Sequence, residues 1–245
     1  MRHHLRFVFT VSIALTFFCG IASAQRSFID NFEDNNLTDG SPVTWEGDDV
    51  DSGAISASGG SMLFQPQVNE CCTDAFVALP KFSDIVIELT VGILSGGDGF
   101  FGVDPREPRD DFSNGYYAGI TTVSGELAIG YSISAEDNPI ARRGVFLPNG
   151  PILPGTDLDM RIEAIDNTIS IAVWLTGSDP QSGATLSWTD VINRFPTGDL
   201  FAPFVNPDSL SSVAIRSISV TIIPEPASAP LAAIAVIAWI LNRKH

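Results

Sequence analysis

Short runs of alternating apolar and polar residues fill the chain between residues 25 and 223, and they restrict the fold more than any other feature. Apolar side chains occupy every second position of the runs 85–91, 158–164 and 169–175. Successive side chains of a β-strand point to opposite faces of a sheet, so this period of two predicts strands with one buried face. Helical periodicity is almost absent from the same segment. The segment is therefore predicted to be all-β.

Turn-forming residues separate these runs. The linker 123–126 contains a glycine and joins the runs 116–122 and 127–133, which predicts a hairpin. Asp166-Asn167 predicts a second tight turn. About ten antiparallel strands with one apolar face each need a second sheet to cover them, which predicts a two-sheet jelly-roll sandwich. Further strands are predicted at 60–65, 74–79, 99–103, 143–147, 183–189 and 212–222, and a long rim loop at 134–156.

Residues 1–24 have the three parts of a secretory signal peptide. Arg2 and Arg6 give a positive start, an apolar stretch covers 7–18, and small residues stand at 22–24. We therefore expect export across the inner membrane, with cleavage between Ala24 and Gln25. The domain is expected to cover 25–222.

The last segment, 223–245, contains a proline motif, an apolar run and a basic tail. Pro224-Glu225-Pro226 precedes the apolar run 227–241, and Arg243 and Lys244 follow it. These parts, in this order, resemble the PEP-CTERM sorting signal of Gram-negative bacteria, on which exosortases act. The resemblance implies transient contact with the membrane and an exosortase, and a cell-surface or extracellular-matrix location with exopolysaccharide. The alternative is a plain membrane anchor, for which a helix of fifteen residues, roughly 22 Å long, is short.

The opening segment Phe28-Ile29-Asp30-Asn31-Phe32, Trp45 and the order of strands resemble the concanavalin A-like lectin/glucanase superfamily, in its laminin-G-like bacterial branch. The resemblance spans most of 28–222 and implies a concanavalin A-like fold. Relatives often carry an acidic or asparagine pair at the start of the last strand, where this chain has Ile215-Arg216. No metal site is therefore carried over. The superfamily includes lectins, hydrolases, lyases and matrix modules, so the fold alone does not choose a function.

The charge of the predicted mature domain excludes one class of partner. Residues 25–223 contain 28 acidic and 9 basic residues, a net charge of −19. Such a surface repels phosphate backbones, so we expect no nucleic-acid partner.

Catalytic residue patterns are missing from the predicted mature domain. His3, His4 and His245 all lie in the segments predicted to be removed, which leaves no imidazole for a Ser-His-Asp or Cys-His site or a zinc site. Hydrolases of this superfamily carry their acids as Glu-x-Asp-x-x-Glu, a spacing that does not occur here. Glu163 and Asp166 come nearest to it, with Asp166 in a turn. We therefore predict no catalytic residue and no enzyme.

We predict no cofactor, with a structural calcium as the alternative, because hard oxygen ligands in loops are what Ca²⁺ takes. Acidic residues crowd the first 27 positions after the predicted cleavage site, and seven of the eight are the candidate ligands: Asp30, Glu33, Asp34, Asp39, Asp48, Asp49 and Asp51. The same residues also suit a solubilising acidic surface, so the metal ligands are left open.

Cys71 and Cys72 are the two cysteines outside the signal peptide. Export favours a disulfide. Neighbouring Cα atoms are about 3.8 Å apart, below the usual disulfide range, so a bond between them is strained. The pair predicts either a vicinal disulfide or two thiols that are reduced or paired between molecules.

Trp174 and Tyr117 are the predicted ligand-binding residues, because aromatic faces stack on the apolar side of a sugar ring. Alternation turns both side chains away from the core, and we expect them to share one exposed sheet face. The paired bases Arg142-Arg143 are candidates for contact with acidic sugars.

Three functions are compatible with these sequence features. A non-catalytic module that binds or organises exopolysaccharide is favoured by the sorting signal and the sandwich. A matrix protein without a specific ligand and a glycoside hydrolase or polysaccharide lyase are the alternatives.

Overall fold

The computed structural model describes residues 26–65, 72–95, 97, 99–108, 114–133, 140–206 and 212–224. The predicted signal peptide with its cleavage site at Ala24 and Gln25, Cys71, and the sorting signal beyond Pro224 lie outside the described residues. What the sequence indicates for these segments therefore stays a prediction, as do the predicted domain limits.

Nearly all regular structure in the described residues is β. The strands are β1 (Arg26–Asp30), β2 (Ile55–Ala57), β3 (Met62–Phe64), β4 (Thr73–Asp74), β5 (Val77–Phe82), β6 (Asp84–Ser95), β7 (Phe100–Glu107), β8 (Gly115–Thr121), β9 (Glu126–Ser132), β10 (Ile140–Phe146), β11 (Thr156–Ile165), β12 (Thr168–Leu175), β13 (Ala184–Thr189), β14 (Gly198–Asn206) and β15 (Ser212–Ile223). One short α-helix, α1 (Asp48–Ser52), and one 3₁₀ turn, Pro180–Ser182, complete the described elements.

These strands form two antiparallel sheets. The eight-stranded sheet has the order β13-β12-β11-β6-β15-β3-β2, with β1 beside β15. The seven-stranded sheet has the order β10-β9-β8-β7-β14-β4, with β5 also beside β14. Residues Ser27–Ile223 form one compact unit. The predicted all-β sandwich of two antiparallel sheets is confirmed.

The core lies between the sheets and follows from the alternation in the sequence. Side chains of β11 and β12 are buried at every second position. One cluster of buried apolar side chains joins the two sheets, with Ile87 and Ile162 from the eight-stranded sheet and Phe101 and Ile129 from the seven-stranded sheet.

Buried polar side chains also connect the two sheets. The Arg106 side chain on β7 is fully buried and donates hydrogen bonds to the carbonyls of Ala164, Asp166 and Phe195. Tyr116 on β8 donates a 2.9 Å hydrogen bond to the carboxylate of Asp190, which follows β13. A buried polar group that lacks a partner is costly, so these bonds favour one relative placement of the sheets.

The hairpin and the tight turn predicted from the sequence are both present. β8 pairs with β9 around Gly125, which has a φ of +70°. Asp166 joins β11 to β12 with a φ of +52°, a left-handed conformation that aspartate tolerates better than most residues.

Two parts of the strand assignment are corrected. The edge strand β10 overlaps the strand predicted at 143–147 but begins earlier, inside the predicted rim loop at 134–156, and it pairs with β9 through two register irregularities. The strand β14 was not predicted, because Pro203 interrupts its pattern and prolines are rare inside central strands. β14 nevertheless lies between β7 and β4 and organises the site described below.

Candidate functional site

Three aromatic side chains form a cluster on the outer face of the seven-stranded sheet. Phe100, Tyr117 and Phe204 come from β7, β8 and β14 and are each half-buried. The ring centroid of Phe100 lies 6.0 Å from that of Tyr117 and 5.8 Å from that of Phe204, and Tyr117 and Phe204 are 6.5 Å apart. We call these three rings the aromatic platform.

Glycines on the neighbouring strands make room for the platform. A Cβ atom at Gly102 would lie 2.6 Å from the ring of Phe204, and one at Gly130 would lie 2.2 Å from the ring of Tyr117. At Gly119, a Cβ atom would lie 2.5 Å from Phe100 and 2.2 Å from the carbonyl oxygen of Phe101. The rings therefore lie directly on the backbone of the sheet, which gives the outer face a low aromatic surface.

A cleft of about 620 Å³ lies between strands β4, β7 and β14 and the N-terminal segment that contains α1. Trp45 and Phe76 supply aromatic lining, and no lysine or arginine is among the described residues that line the cleft. Six carboxylates line it: Glu46, Asp48, Asp51, Asp74, Asp104 and Glu107. We call this region the acidic cleft.

The platform and the cleft are neighbours because of the strand register. Phe204 on β14 pairs with Asp74 on β4 and with Gly102 on β7, and Ala202 pairs with Asp104. Directly paired residues project from the same face of a sheet. Asp74 and Asp104 therefore flank the aromatic platform on the same outer face.

Electrostatic effects join the two regions. Burial, followed by the charges of Asp49 and Asp48, raises the pKa of Asp74. Burial and the charge of Asp74 raise the pKa of Asp104 well above its ordinary value. Burial, and then the charge of Asp104, raise the pKa of the Tyr117 hydroxyl to about 12. The Asp104 carboxyl is thus a poorly solvated group between another carboxyl and the platform.

The N-terminal segment forms one wall of the cleft through specific hydrogen bonds. The indole N–H of Trp45 donates to the buried Asp30 carboxylate at 2.9 Å, and the amide of Phe32 donates to the other oxygen of that carboxylate. The amide of Asp74 donates to the carboxylate of Asp49 in α1. These contacts hold Trp45 in the core and α1 next to β4.

The two predicted ligand-binding residues lie on different sheets. Tyr117 projects from β8 into the aromatic platform, as alternation predicts, whereas Tyr116 beside it is buried. Trp174 projects from β12 on the eight-stranded sheet, where it is half-buried and lines two small depressions of about 180 and 190 Å³. The expectation that Tyr117 and Trp174 share one face is therefore wrong. That either of them binds a ligand stays a prediction.

Sequence reasoning missed the acidic residues of β7. Asp104 and Glu107 have the Asp-x-x-Glu spacing of the superfamily hydrolases, and Gly102 stands where those enzymes carry the first glutamate. Asp104 and Glu107 fit the hydrolase pattern better than Glu163 and Asp166 do, because Asp166 lies in the turn between β11 and β12, as expected. The spacing was readable in the sequence, but its closeness to Asp74 depends on β14, which no local pattern indicated.

The N-terminal acidic residues predicted as calcium ligands make turn contacts. Asp34 and Asp39 accept hydrogen bonds from the backbone amides of Asn36 and Ser41, and Asp30 binds Trp45. Within the described ranges, no three His, Cys, Asp or Glu side chains are arranged to hold a metal ion. The described side chains therefore form no calcium ligand set, and calcium binding stays a prediction.

The remaining predicted residues lie apart from the platform. Arg142 on β10 donates to the carbonyl of Ser187 at 3.0 Å, and Arg143 forms a 3.2 Å ion pair with Glu126. Cys72 is partly buried at the start of β4. The redox state of the cysteine pair stays a prediction, because Cys71 lies outside the described residues.

No family model and no curated protein matches the chain. Among solved structures, it is similar to lectin I from Ulex europaeus in complex with the methyl glycoside of α-L-fucose, at 10% identity and a TM-score of 0.51, over 81% of this chain and 98% of that chain. It is also similar to the Ca²⁺-bound exoplasmic/lumenal domain of VIP36, at 11% identity and a TM-score of 0.54, over 83% and 94% of the two chains.

A third similar structure is the xylan β-1,4-xylosidase from Bacillus halodurans C-125. The identity is 11% and the TM-score 0.54, over 78% of this chain and 38% of that chain. At such identities the likeness shows the fold alone. The predicted concanavalin A-like fold is confirmed.

Proposed function

We propose that this chain is an exported, non-catalytic carbohydrate-binding protein that binds or organises exopolysaccharide at the cell surface or in the extracellular matrix. The observation that carries the proposal is the aromatic platform beside the acidic cleft. Sugar rings stack on aromatic side chains through their apolar faces, and carboxylates accept hydrogen bonds from sugar hydroxyls. Phe100, Tyr117 and Asp104 supply both kinds of contact on one face.

Two of the similar structures support a carbohydrate ligand. The Ulex lectin was solved with a methyl glycoside of α-L-fucose, and VIP36 was also solved in a Ca²⁺/Man3GlcNAc-bound form. Calcium is therefore included in the binding experiment below, although the described side chains form no ligand set for it.

Hydrolysis is the second candidate function, favoured by one observation. A carboxyl group with a raised pKa suits a general acid, and Asp104 is such a group within an Asp-x-x-Glu spacing. Gly102 in place of the first glutamate argues against a complete pair of catalytic acids. We therefore rank binding above hydrolysis.

The proposed cellular location of the protein rests on the sequences of the first 24 and the last 23 residues. Cleavage after Ala24 and processing by an exosortase near Pro224-Glu225-Pro226 would release the 25–222 domain outside the inner membrane. Within the described ranges, no helix is long and apolar enough to cross a membrane. Mass spectrometry of the protein from its own cells should give an N-terminus at Gln25 and a C-terminus near Pro224, and an intact C-terminus would favour the anchor.

The binding experiment uses the purified full chain in mild detergent and a panel of insoluble and surface-derived polysaccharides, with calcium or with chelator. Bound protein and released sugar are measured in the same tubes. Tyr117→Ala and Trp174→Ala are compared, because the two side chains lie on different sheets. We expect saturable binding and no released sugar. Tyr117→Ala should bind about tenfold more weakly, which corresponds to the upper end of the binding free energy of one aromatic contact.

Each other outcome changes the conclusion. Released sugar would make the protein a hydrolase or lyase. Loss of binding in Trp174→Ala alone would move the site to the eight-stranded sheet. Loss of binding with chelator would assign calcium to the site. Absence of saturable binding to every glycan would leave a structural matrix protein.

A further inference from the structure

Among the described residues, no lysine or arginine lines the acidic cleft. The six arginines whose side chains the structure describes all bind groups outside the cleft: Arg106, Arg142, Arg143, Arg161, Arg194 and Arg216. Asp74 and Asp104 form no ion pair with any described residue. The described residues therefore supply no opposite charge to these two carboxyls, and a cationic ligand would supply one.

The two carboxyls also destabilise each other in their ionised forms. Asp74 lies near the charges of Asp48 and Asp49, and Asp104 lies near Asp74. A cation bound between Asp74 and Asp104 would relieve this repulsion and replace part of the hydration that burial has removed. An anion would meet only further repulsion.

The aromatic platform indicates which class of ligand would carry the cationic group. Val103 on β7 pairs with Ala118 on β8, which places Asp104 and Tyr117 next to each other on adjacent strands. The charge of Asp104 also raises the pKa of the Tyr117 hydroxyl, after burial. In an amino sugar, the nitrogen is attached directly to the pyranose ring. A sugar stacked on the platform would carry its ammonium group to the edge of the cleft.

We infer that the preferred ligand is a glycan whose sugars carry free amino groups, with a ring on the platform and an ammonium between Asp74 and Asp104. This inference rests on the proposed carbohydrate-binding function. A hydrogen bond from an ammonium to a carboxylate is about twice as strong as one between neutral groups, so the amino glycan gains over its N-acetylated form.

The test compares five hexamers by isothermal titration calorimetry with the full chain at slightly acidic pH. They are a glucosamine hexamer, the N-acetylglucosamine hexamer, cellohexaose, a hexagalacturonate and hexalysine. We expect the glucosamine hexamer to bind at least about tenfold more tightly than the N-acetylated form, as expected for one charge-assisted contact. Titrations in two buffers of different ionisation enthalpy should show proton release, because the ammonium favours the ionised carboxyls.

Isosteric variants locate the effect. Asp104→Asn and Asp74→Asn should bring the two glucosamine-based hexamers to equal affinity. Asp179→Asn is the matched control, because this substitution removes the same charge. Asp179 is exposed and caps the 3₁₀ turn beside the eight-stranded sheet, away from the cleft. It should keep the preference.

The other outcomes separate this inference from the proposed function. Equal affinity for the amino and N-acetylated hexamers, or tighter binding of the galacturonate, would overturn the inference and leave carbohydrate binding intact. A preference that survives in both Asp74→Asn and Asp104→Asn would place the amine elsewhere and also overturn it. Binding of hexalysine with no sugar bound, or binding of none of the five, would overturn both.

Discussion

Among single residues, Asp104 lies where an ionised carboxyl destabilises the fold but favours the binding of a cationic ligand. Its carboxyl is poorly solvated, lies near Asp74 and has no ion-pair partner among the described residues. Such a group destabilises the folded chain when it is ionised, and it becomes useful when a cation arrives. The same side chain is therefore expected to lower stability and to raise ligand affinity.

Asp104→Asn should raise the melting temperature at pH about 7.5 by a few degrees and change it little at pH about 4, near the ordinary pKa of aspartate. The folded-state pKa of Asp104 is raised, so the folded chain binds more protons than the unfolded chain between the two pKa values. Stability is then lost as the pH rises through that window, and the variant removes the loss. Differential scanning calorimetry at both pH values checks this. A variant that is less stable than the parent at pH about 7.5 would contradict the assigned environment.

Sequence reasoning at this scale worked where alternation alone decides an orientation. Tyr117 projects outward and Ala118 and Ile120 are buried, as the run 116–122 predicted. It failed for pairs that are far apart in the chain, such as Asp74 and Asp104. No local pattern indicates that two aspartates thirty residues apart will share a face, because a strand near residue 200 lies between them.

At the scale of elements, the glycines of β7, β8 and β9 position the platform as much as the aromatic rings do. Gly102 pairs directly with Gly119, and Gly130 pairs with Tyr117. Glycine weakens a strand interior, so three of them on adjacent strands need a compensating role. Here they allow the rings to contact the backbone.

Gly130→Ala should weaken glycan binding about as much as Tyr117→Ala, because the added Cβ would displace the Tyr117 ring. The clash is with a side chain that can move, so we expect a stability loss below about 1.5 kcal/mol. Binding and urea denaturation are measured on the same preparation.

Gly119→Ala is the comparison variant, since its Cβ would meet the carbonyl oxygen of Phe101 at 2.2 Å. Backbone cannot move as a side chain does, so the expected destabilisation exceeds about 2 kcal/mol. If Gly130→Ala binds glycan as the parent does, the position of Tyr117 does not matter for the ligand.

Most strands could be predicted from the sequence, and the site could not. Strands such as β11 and β12 have one face in the core and one in solvent, and their pattern records this directly. β14 is buried at most positions and contains Pro203. Its sequence therefore shows neither the alternation of a half-exposed strand nor the continuous apolar run of a buried strand. Because β14 carries Phe204 and separates β4 from β7, missing it also conceals the cleft.

At the scale of the whole molecule, Arg106 is the clearest link between the sheets. It starts from the seven-stranded sheet and reaches three carbonyl oxygens of the β11–β12 region and the 190–195 turn, with Asp84 at 3.6 Å. Burial lowers the pKa of Arg106, and Asp84 then opposes that effect. The guanidinium therefore stays charged inside the sandwich and is compensated by groups of the opposite sheet.

Arg106→Met should destabilise the protein by about 3–5 kcal/mol, the range for removing one partner of a buried charged group. Arg142→Met, which removes an exposed guanidinium with one carbonyl contact, should cost less than about 1 kcal/mol. Urea denaturation of both variants checks the difference. Equal losses would mean that the sheets are held by apolar packing alone.

The irregular edge strand β10 has a consequence for closely packed copies of the protein. A regular, uncharged edge would offer unpaired amides to the next molecule and allow sheets to join end to end into fibres. β10 instead breaks its register twice and carries exposed Arg142 and Arg143, with Arg142 bound across to β13. This edge therefore disfavours strand pairing between closely packed copies, and under the proposed function a network of copies would be cross-linked by bound polysaccharide.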